Sequence, residues 1–586
     1  MTAMHDNRTT DDATRKTGLT LPPAALAVAL TAIIARLPAL GAWWNQDDWG
    51  LLARAAGLLD TASGPARWVT QTLYWDLLWP LAGLDPTPYA VTRLLMHAAV
   101  AAGVVRLASR FQLTTLQHWI AGLIMAATPL AFSPLYWAAG VQDLAAVALM
   151  VWAVERWLAP GRRALVVGLL LGLAALAAKE TVILLPFLLV LVNLWTPHRR
   201  QDRLAWAGVV LMTMAAATAL LLAFRHFDTS PDQPYAMGGL QTMAAHLMMY
   251  GWWLILPGPH FTPAPSVWQV LVGAALWIGW LGWGIHQARR GYHVPLLALG
   301  GALLMLAPLL PLRHHLAPDL AYPVEPFGCL ALACLLPRRW SARPMIIIIA
   351  AVVALAWGFG GMKARLDMRS ADGMPSDPLV RRTAVSYTIC RQLPQLPIPA
   401  SGLVIVQPPT NQSTANMANE LGESWVMGSL VYHSLGGNLG PQMILGEDKP
   451  IQWTNGLRLT PEQAFVMLDT GHAIKPWGPS GQALLYQALT DVGYGLFDRA
   501  RLHLLRASVL GGDTLIFSYD PSLLPMPIEQ VLANKEAFID HLARGLRLGR
   551  TEFEIAGLQE NFFRLLSACT DQDLETIKAP SPRSNP

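Results

Sequence analysis

Residues 344–361 read PMIIIIAAVVALAWGFGG, a stretch with no charged side chain, bounded by Arg343 before it and Lys363 after it. A helix needs about 20 apolar residues to cross the hydrocarbon core of a bilayer. Lipid offers the backbone no hydrogen-bond partner, so such a stretch is expected to be a helix. Toward the N-terminus the chain is a succession of similar stretches. Beyond Lys363, Asp, Glu, Lys and Arg become frequent. Of the 586 residues, 53% are hydrophobic and 14% charged, against about 25% charged in an ordinary soluble domain. The step in composition near Phe359 therefore separates a polytopic all-α membrane bundle from a water-soluble domain. The net charge of +4 is small and no basic run resembles a nucleic-acid patch, so no nucleic-acid partner is expected.

Working outward from 343–361, ten further apolar spans read 21–43, 89–107, 117–135, 141–158, 162–178, 181–196, 204–224, 267–286, 293–312 and 319–336, which makes eleven crossings. Residues 1–20 are expected as a cytoplasmic tail without a cleavable signal, 21–361 as the transmembrane domain, 362–578 as the soluble domain and 579–586 as a disordered tail. Basic residues orient the bundle. Alternate loops carry Arg8, Arg15 and Lys16; Arg106 and Arg110; Arg156, Arg162 and Arg163; Arg199, Arg200 and Arg203; Arg289 and Arg290; and Arg338, Arg339 and Arg343. These loops are expected in the cytoplasm. The opposite loops are acidic, with Asp47, Asp48, Asp60, Asp76, Asp85, Asp143, Glu180, Asp228, Asp232 and Asp319. An odd number of crossings places the C-terminal domain outside the cytoplasm, at the inner membrane if the source is bacterial.

Two outer segments exceed simple connectors. In 44–88, WGLLARAAGLL sets Leu51, Leu52, Ala55, Leu58 and Leu59 largely on one helical face, the pattern of a helix lying in the membrane interface. In 226–266, QTMAAHLMMYGWWLILPG reads as interfacial or re-entrant. The soluble domain is expected to be α+β or α/β: SGLVIVQPP and GDTLIFSYD read as strands, and PIEQVLANKEAFIDHLARGL as an amphipathic helix. Cys390 and Cys569 could pair in an oxidising compartment. Tryptophans 43, 44, 49, 75, 79, 252 and 253 read mostly as an aromatic belt at the outer interface. No internal repeat is visible.

The segment NQDDWGLLARA puts Asp47 and Asp48 directly after the first span. At the outer surface a carboxylate can act as general base on an acceptor while the rest of a substrate stays in lipid, and paired acids tune one another toward neutral pH. Asn and Asp also cap helices and complement the helix dipole, so the same residues serve a structural role. In AAKETVILLP, Lys179 and Glu180 occupy a short outer turn, where ionisable groups beside hydrocarbon are functional candidates or close the hairpin as an ion pair. In LLPLRHHLAPDLAYPVEPF, Arg313 can fork onto a phosphate, with His314, His315, Asp319 and Glu325 nearby. Adjacent histidines do not suit joint ligation of one metal, and interfacial anchoring is the alternative. Arg225 and His226 could join this basic cluster. His97 in YAVTRLLMHAA reads as an interior residue, packed and hydrogen-bonded.

An acidic pair after helix 1, opening a long outer loop with an interfacial helix, resembles the glycosyltransferase C (GT-C) superfamily, which includes protein O-mannosyltransferases and bacterial aminoarabinose transferases. TPYAVTRLLMHAAVAAGVVRL, SPLYWAAGVQDLAAVAL, LAALAAKETVILLP and PLRHHLAPDLAYP are similar to successive elements of that fold, over roughly residues 21–335. The pair is Asp-Asp rather than the Asp-Glu of several members, and Arg54 lies six positions after Asp48, farther than the arginine of aminoarabinose transferases. The resemblance implies inverting transfer of a sugar from a polyprenyl-phosphate donor to a glycan, lipid or protein acceptor. Asp48 or Asp47 would be the base. Lys179, Arg225, Arg313 and His314 would hold the departing phosphate. Glu180, Arg54, His97 and Asp143 would support the site, and a divalent cation is a possible cofactor. Membrane lipids and partner membrane proteins are the other expected contacts. The rival readings are an outer-face polysaccharide polymerase or ligase and a non-catalytic scaffold of the same fold.

Overall fold

The computed structural model describes residues 23–60, 67–224, 236–255, 266–314, 316–338, 340, 343–370, 374–395, 398, 402–406, 430–446, 449–454, 466–469, 474–476, 514–515 and 526–527. They belong to two compact units, one of Met1–Trp43 with Arg54–Arg381 and one of Trp44–Ala53 with Arg382–Pro586.

In chain order the helices are α1 (Pro23–Ala35), α2 (Asp47–Ala55), α3 (Tyr74–Ala82), α4 (Pro86–Arg110), α5 (Thr115–Ala127), α6 (Phe132–Tyr136), α7 (Val141–Leu158), α8 (Arg162–Leu176) and α9 (Leu185–Trp195). There follow α10 (Pro197–Arg200), α11 (Arg203–Phe224), α12 (Leu240–Ile255), α13 (Val267–Arg289), α14 (Val294–Leu306), α15 (Glu325–Cys334), α16 (Pro344–Asp367) and α17 (Pro378–Gln392). Among the described residues six helical segments are long and apolar enough to cross a membrane: Pro86–Arg110, Thr115–Tyr136, Ala138–Leu158, Arg203–Leu222, Val267–Arg289 and Pro344–Asp367. Pro23–Ala35, Glu180–Trp195 and Val294–Leu306 are shorter apolar helices.

The helix starts follow from the sequence. Asp85 accepts from the Thr87 amide just ahead of Pro86. Thr114 with Gln117, and Ser266 with Gln269, form reciprocal capping boxes at α5 and α13. Proline breaks the apolar runs: Pro38 lies in the 3-10 turn Leu37–Gly41, and Pro318–Val324 is a 3-10 segment containing Pro323.

Within the first unit α7 is central, with 83% of its apolar window buried against 17% for α16, so α7 is walled by protein while α16 offers most of its surface outward. Small residues permit close helix approach. A Cβ on Gly103 would meet Val151 at 2.7 Å, and one on Gly122 would meet Val105 at 2.4 Å. One on Gly273 of α13 would lie 1.8 Å from the Met248 carbonyl oxygen of α12, which is backbone against backbone. Trp277 Nε1 reaches the Leu247 carbonyl at 2.7 Å and locks the same pair of helices.

Helix α7 carries an ionic cluster at each end. Asp143 opens it, and Glu155 lies 12 residues later, about 18 Å along the axis at 1.5 Å per residue. The intervening residues are almost wholly apolar. Trp44, Trp49, Trp75 and Trp253 are buried at 0–1% exposure. These four pack inside protein rather than forming an interfacial belt; their large apolar area is satisfied by neighbouring side chains.

The second unit carries a four-stranded sheet ordered β2-β1-β3-β4, built from β1 (Leu403–Val406), β2 (Ile451–Thr454), β3 (Val466–Asp469) and β4 (Ile474–Pro476). β1 pairs in parallel with β2 and β3, and β4 closes antiparallel on β3. A two-stranded ladder joins Thr514–Leu515 to Met526–Pro527. The stretches read as strands thus contain β1 and the 514–515 ladder. Apart from Pro527, which lies in this ladder, the amphipathic helix expected near 527–546 and the 579–586 tail lie outside the described residues.

Candidate functional site

The turn after α8 is fixed by two ion pairs. Helix α8 ends at Leu176, and the chain returns past the start of α7, where Asp143 occupies the first turn. Lys179 Nζ donates to both carboxylate oxygens of Asp143 at 2.8 Å. Glu180 is bridged from the other side by Arg67, whose Nε donates to Oε2 at 2.9 Å and whose Nη2 donates to Oε1. Burial pushes the Glu180 carboxyl up, but the Arg67 hydrogen bond and charge outweigh it and hold it below the ordinary value. The segment Trp68–Leu73, wound as a π-helix, is pinned to this turn. The Val69 amide donates to the Ala177 carbonyl at 3.0 Å, and Thr70 Oγ1 donates to the Ala178 carbonyl. Asp319 and Glu180 lie close enough to add their negative fields at Asp143. Among the described residues, Asp143, Glu180, Lys179 and Arg67 are joined by these bridges, with Asp319 near Asp143. Lys179 therefore pairs with Asp143, and Glu180 with Arg67, rather than with each other. Lys179 Nζ keeps a third N–H beyond the two given to Asp143.

His97 is wholly buried on α4. Its Nδ1 lies 2.9 Å from the Tyr322 hydroxyl and its Nε2 3.3 Å from the Ala126 carbonyl. Arg36, at 2% exposure, donates to the Gly358 carbonyl at 3.1 Å and to the Thr128 carbonyl. Arg54 bridges Asp76 at 2.9 Å. Arg313 and His314 are exposed. The Arg313 amide donates to the Ala236 carbonyl at 2.8 Å, and Met237 bridges Leu312 as an antiparallel pair. Arg225, His226 and His315 lie outside the described residues.

The same unit contains two apolar cavities of about 360 and about 280 Å³, which share Leu254, Glu325 and Leu332. The first lies between α5 (Ile124), α15 and α16 (Val353, Trp357); the second reaches Trp280 and Trp283 of α13. Glu325 is 7% exposed and is the only carboxyl lining either cavity among the described residues.

In the second unit the acidic pair sits at the start of α2. The Asn45 amide donates to Asp48 Oδ2 at 2.9 Å, and the Asp48 amide donates to the Asn45 carbonyl at 3.1 Å. The two contacts close a tight turn just ahead of the helix, with the Asp48 carboxylate accepting from the backbone at its start. Asp48 is buried at 0% exposure, whereas Asp47 is exposed. The segment is clamped along its length. Asn45 Nδ2 reaches Thr383 Oγ1 at 3.3 Å, and Arg382 Nη1 donates to Gln46 Oε1 at 2.6 Å. The Ser434 carbonyl accepts from the Gln46 amide at 3.2 Å and from Trp49 Nε1 at 3.1 Å. Gly436, in the left-handed region at φ +59, leaves room for Trp49, whose Cβ would lie 2.8 Å from an added methyl carbon.

Among the described residues no group of three or more His, Cys, Asp or Glu is set to hold a metal ion. Cys390 is buried on α17 with its Sγ 3.9 Å from Ser386 Oγ; Cys569 lies outside the described residues. Arg36 and Glu155 were not singled out from the sequence. Each is a charge embedded in an apolar run, the signal that would have marked them.

No family model matches the chain and no curated protein matches it. Among solved structures it is similar to the cryo-EM structure of the arabinofuranosyltransferase AftD from mycobacteria. The identity is 17% and the TM-score 0.42, over 83% of this chain and 34% of that one. This chain thus spans about a third of that protein's length.

Proposed function

We propose that this protein is a membrane glycosyltransferase that moves a sugar from a polyprenyl-phosphate donor to an acceptor outside the cytoplasm, with inversion. The observation that carries the reading is the acidic pair. It opens a helix that follows an apolar span, with Asp48 fixed by the Asn45 amide and Asp47 presented at the surface. An acid held in this way can remove a proton from an acceptor hydroxyl or amide. The acceptor atom then attacks the anomeric carbon, the bond from that carbon to the phosphate oxygen breaks, and the lipid phosphate leaves with the electron pair.

Lys179, through its third N–H, together with Arg225, Arg313 and His314, would neutralise the leaving phosphate. Glu180, Arg54, His97 and Asp143 would hold these groups in place. The apolar cavities beside Trp357 and Trp280 offer a fit for the isoprenoid chain. In this reading the bundle makes eleven crossings, the domain from 362 onward lies outside the cytoplasm, and a bacterial host would keep the protein in its inner membrane.

The closure of Lys179 onto Asp143 favours a second reading, a non-catalytic scaffold of the same architecture. Turnover separates the two. Purified protein in liposomes would be given a panel of polyprenyl-phosphate sugars with candidate glycan, lipid and peptide acceptors. Release of polyprenyl phosphate in step with an inverted anomeric product supports the enzyme. No release from any donor, with a stoichiometric protein complex instead, supports the scaffold.

A further inference from the structure

At the other end of α7 from Asp143, Glu155 is wholly buried and is met by three arginines. Its Oε1 accepts from Arg110 Nε at 3.0 Å and from Arg106 Nη2 at 3.4 Å, and its Oε2 accepts from Arg156 Nε. Arg106 and Arg110 lie one turn apart at the end of α4, and Arg156 is in the last turn of α7. The three arginine side chains are 23%, 26% and 29% exposed, so their outer faces reach the surface.

One carboxylate neutralises one guanidinium, which leaves two positive charges gathered on one spot. Among the described residues Glu155 is the acid these arginines bridge. Each guanidinium carries five N–H donors in a planar fork, against about four lone-pair sites on a carboxylate, so the donors outnumber what Glu155 can accept. Like charges held together beside hydrocarbon repel unless an anion joins them. Scattered arginines along an interface would satisfy the topology rule alone. Three convergent on a single buried acid form instead a preset fork, partly exposed, at the ends of two helices long and apolar enough to cross a membrane.

We infer that Arg106, Arg110 and Arg156, organised by Glu155, bind the phosphodiester of an anionic phospholipid headgroup. A phosphate oxygen would take the fork donors that Glu155 leaves unused, in charge-assisted bonds. The site does not depend on the glycosyltransferase reading.

The test counts bound lipid. The full chain, purified in detergent, is titrated with phosphatidylglycerol and, separately, with phosphatidylcholine and inorganic phosphate, and the complexes are read by native mass spectrometry. Expected is one saturable phosphatidylglycerol site, with phosphatidylcholine weaker by about tenfold, because it carries the same phosphodiester but sets its choline ammonium against the three arginines. Arg106→Gln with Arg156→Gln removes the site. Arg156→Gln alone leaves Glu155 its bonds to Arg106 and Arg110, and weakens binding if the double variant does not fold. Arg289→Gln with Arg290→Gln, exposed arginines in another basic loop, leaves the site intact. Equal loss in both double variants, or phosphatidylcholine bound as tightly as phosphatidylglycerol, overturns the inference. Saturation by inorganic phosphate at matching concentration would instead assign the site to free phosphate and overturn the lipid assignment.

Discussion

Replacing Lys179 by Met should destabilise the bundle far more than its place in a short loop suggests. The lysine is 13% exposed and its partner Asp143 only 5%. Both contacts are 2.8 Å long. Removing one partner of a buried pair leaves an uncompensated charge and costs about 3–5 kcal/mol. The slight exposure of Lys179 draws this toward about 3 kcal/mol. Replacing Asp143 by Leu as well removes the stranded charge, so most of the loss should return. The coupling across the double-mutant cycle should be about 2–3 kcal/mol. Reversible unfolding in mixed detergent micelles, followed by tryptophan fluorescence, measures it. The Arg54–Asp76 pair, with its acid 48% exposed, is the control and should couple by about 0–1 kcal/mol. Strictly additive effects of the Lys179 and Asp143 changes, or a Lys179→Met protein as stable as the parent, would refute the buried-pair argument.

Three further outcomes follow from particular contacts. Gly273→Val places a side chain where the Met248 carbonyl already sits 1.8 Å from the Cβ position, so it should separate α12 from α13 and yield protein that aggregates on detergent extraction, seen as loss of the monodisperse chromatographic peak. Gly436→Ala adds a methyl group 2.8 Å from Trp49 Cβ at a left-handed backbone position; it should cost about 1–3 kcal/mol and speed proteolysis between residues 44 and 53. Glu180→Gln should lose stability at neutral pH and match the parent in acid. Arg67 holds the folded Glu180 carboxyl below its ordinary value near 4.5, so its contribution is whole above that pH and disappears as pH falls through the lowered value. Melting curves of parent and variant from pH 7 to pH 3 should converge at the acid end, and a constant gap would contradict the assignment.

The membrane character of the chain was legible because hydrocarbon imposes long uncharged runs, and α16 occupies the stretch that shows it best. The positions of helix ends were less so. Apolar length was read through prolines that the backbone does not ignore: Pro38 ends the helix begun at Pro23, and Pro323 confines α15 to Glu325–Cys334. Asp47 and Asp48 stood out as a pair, yet nothing in their spacing told which would be buried. That depends on Asn45 lying three residues before Asp48 and on Thr383 and Ser434 from far along the chain. Lys179 and Glu180 were visible as neighbours; their true partners, Asp143 and Arg67, lie 36 and 113 residues away and emerge only from packing. Arg36 and Glu155 were hidden because adjoining apolar residues dominated the reading of their spans.

The central claim concerns the acids at the start of α2, and transfer kinetics test it most directly. With a donor that the parent protein consumes, Asp47→Asn and Asp48→Asn, singly and together, would be compared in liposomes by release of polyprenyl phosphate. Both substitutions preserve side-chain shape, and an amide oxygen at position 48 can still accept from the Asn45 amide, so the local turn should survive. The account predicts at least a hundredfold loss of turnover in the double variant, about what removal of a general base costs, with unchanged donor affinity. Undiminished turnover in the double variant would contradict it.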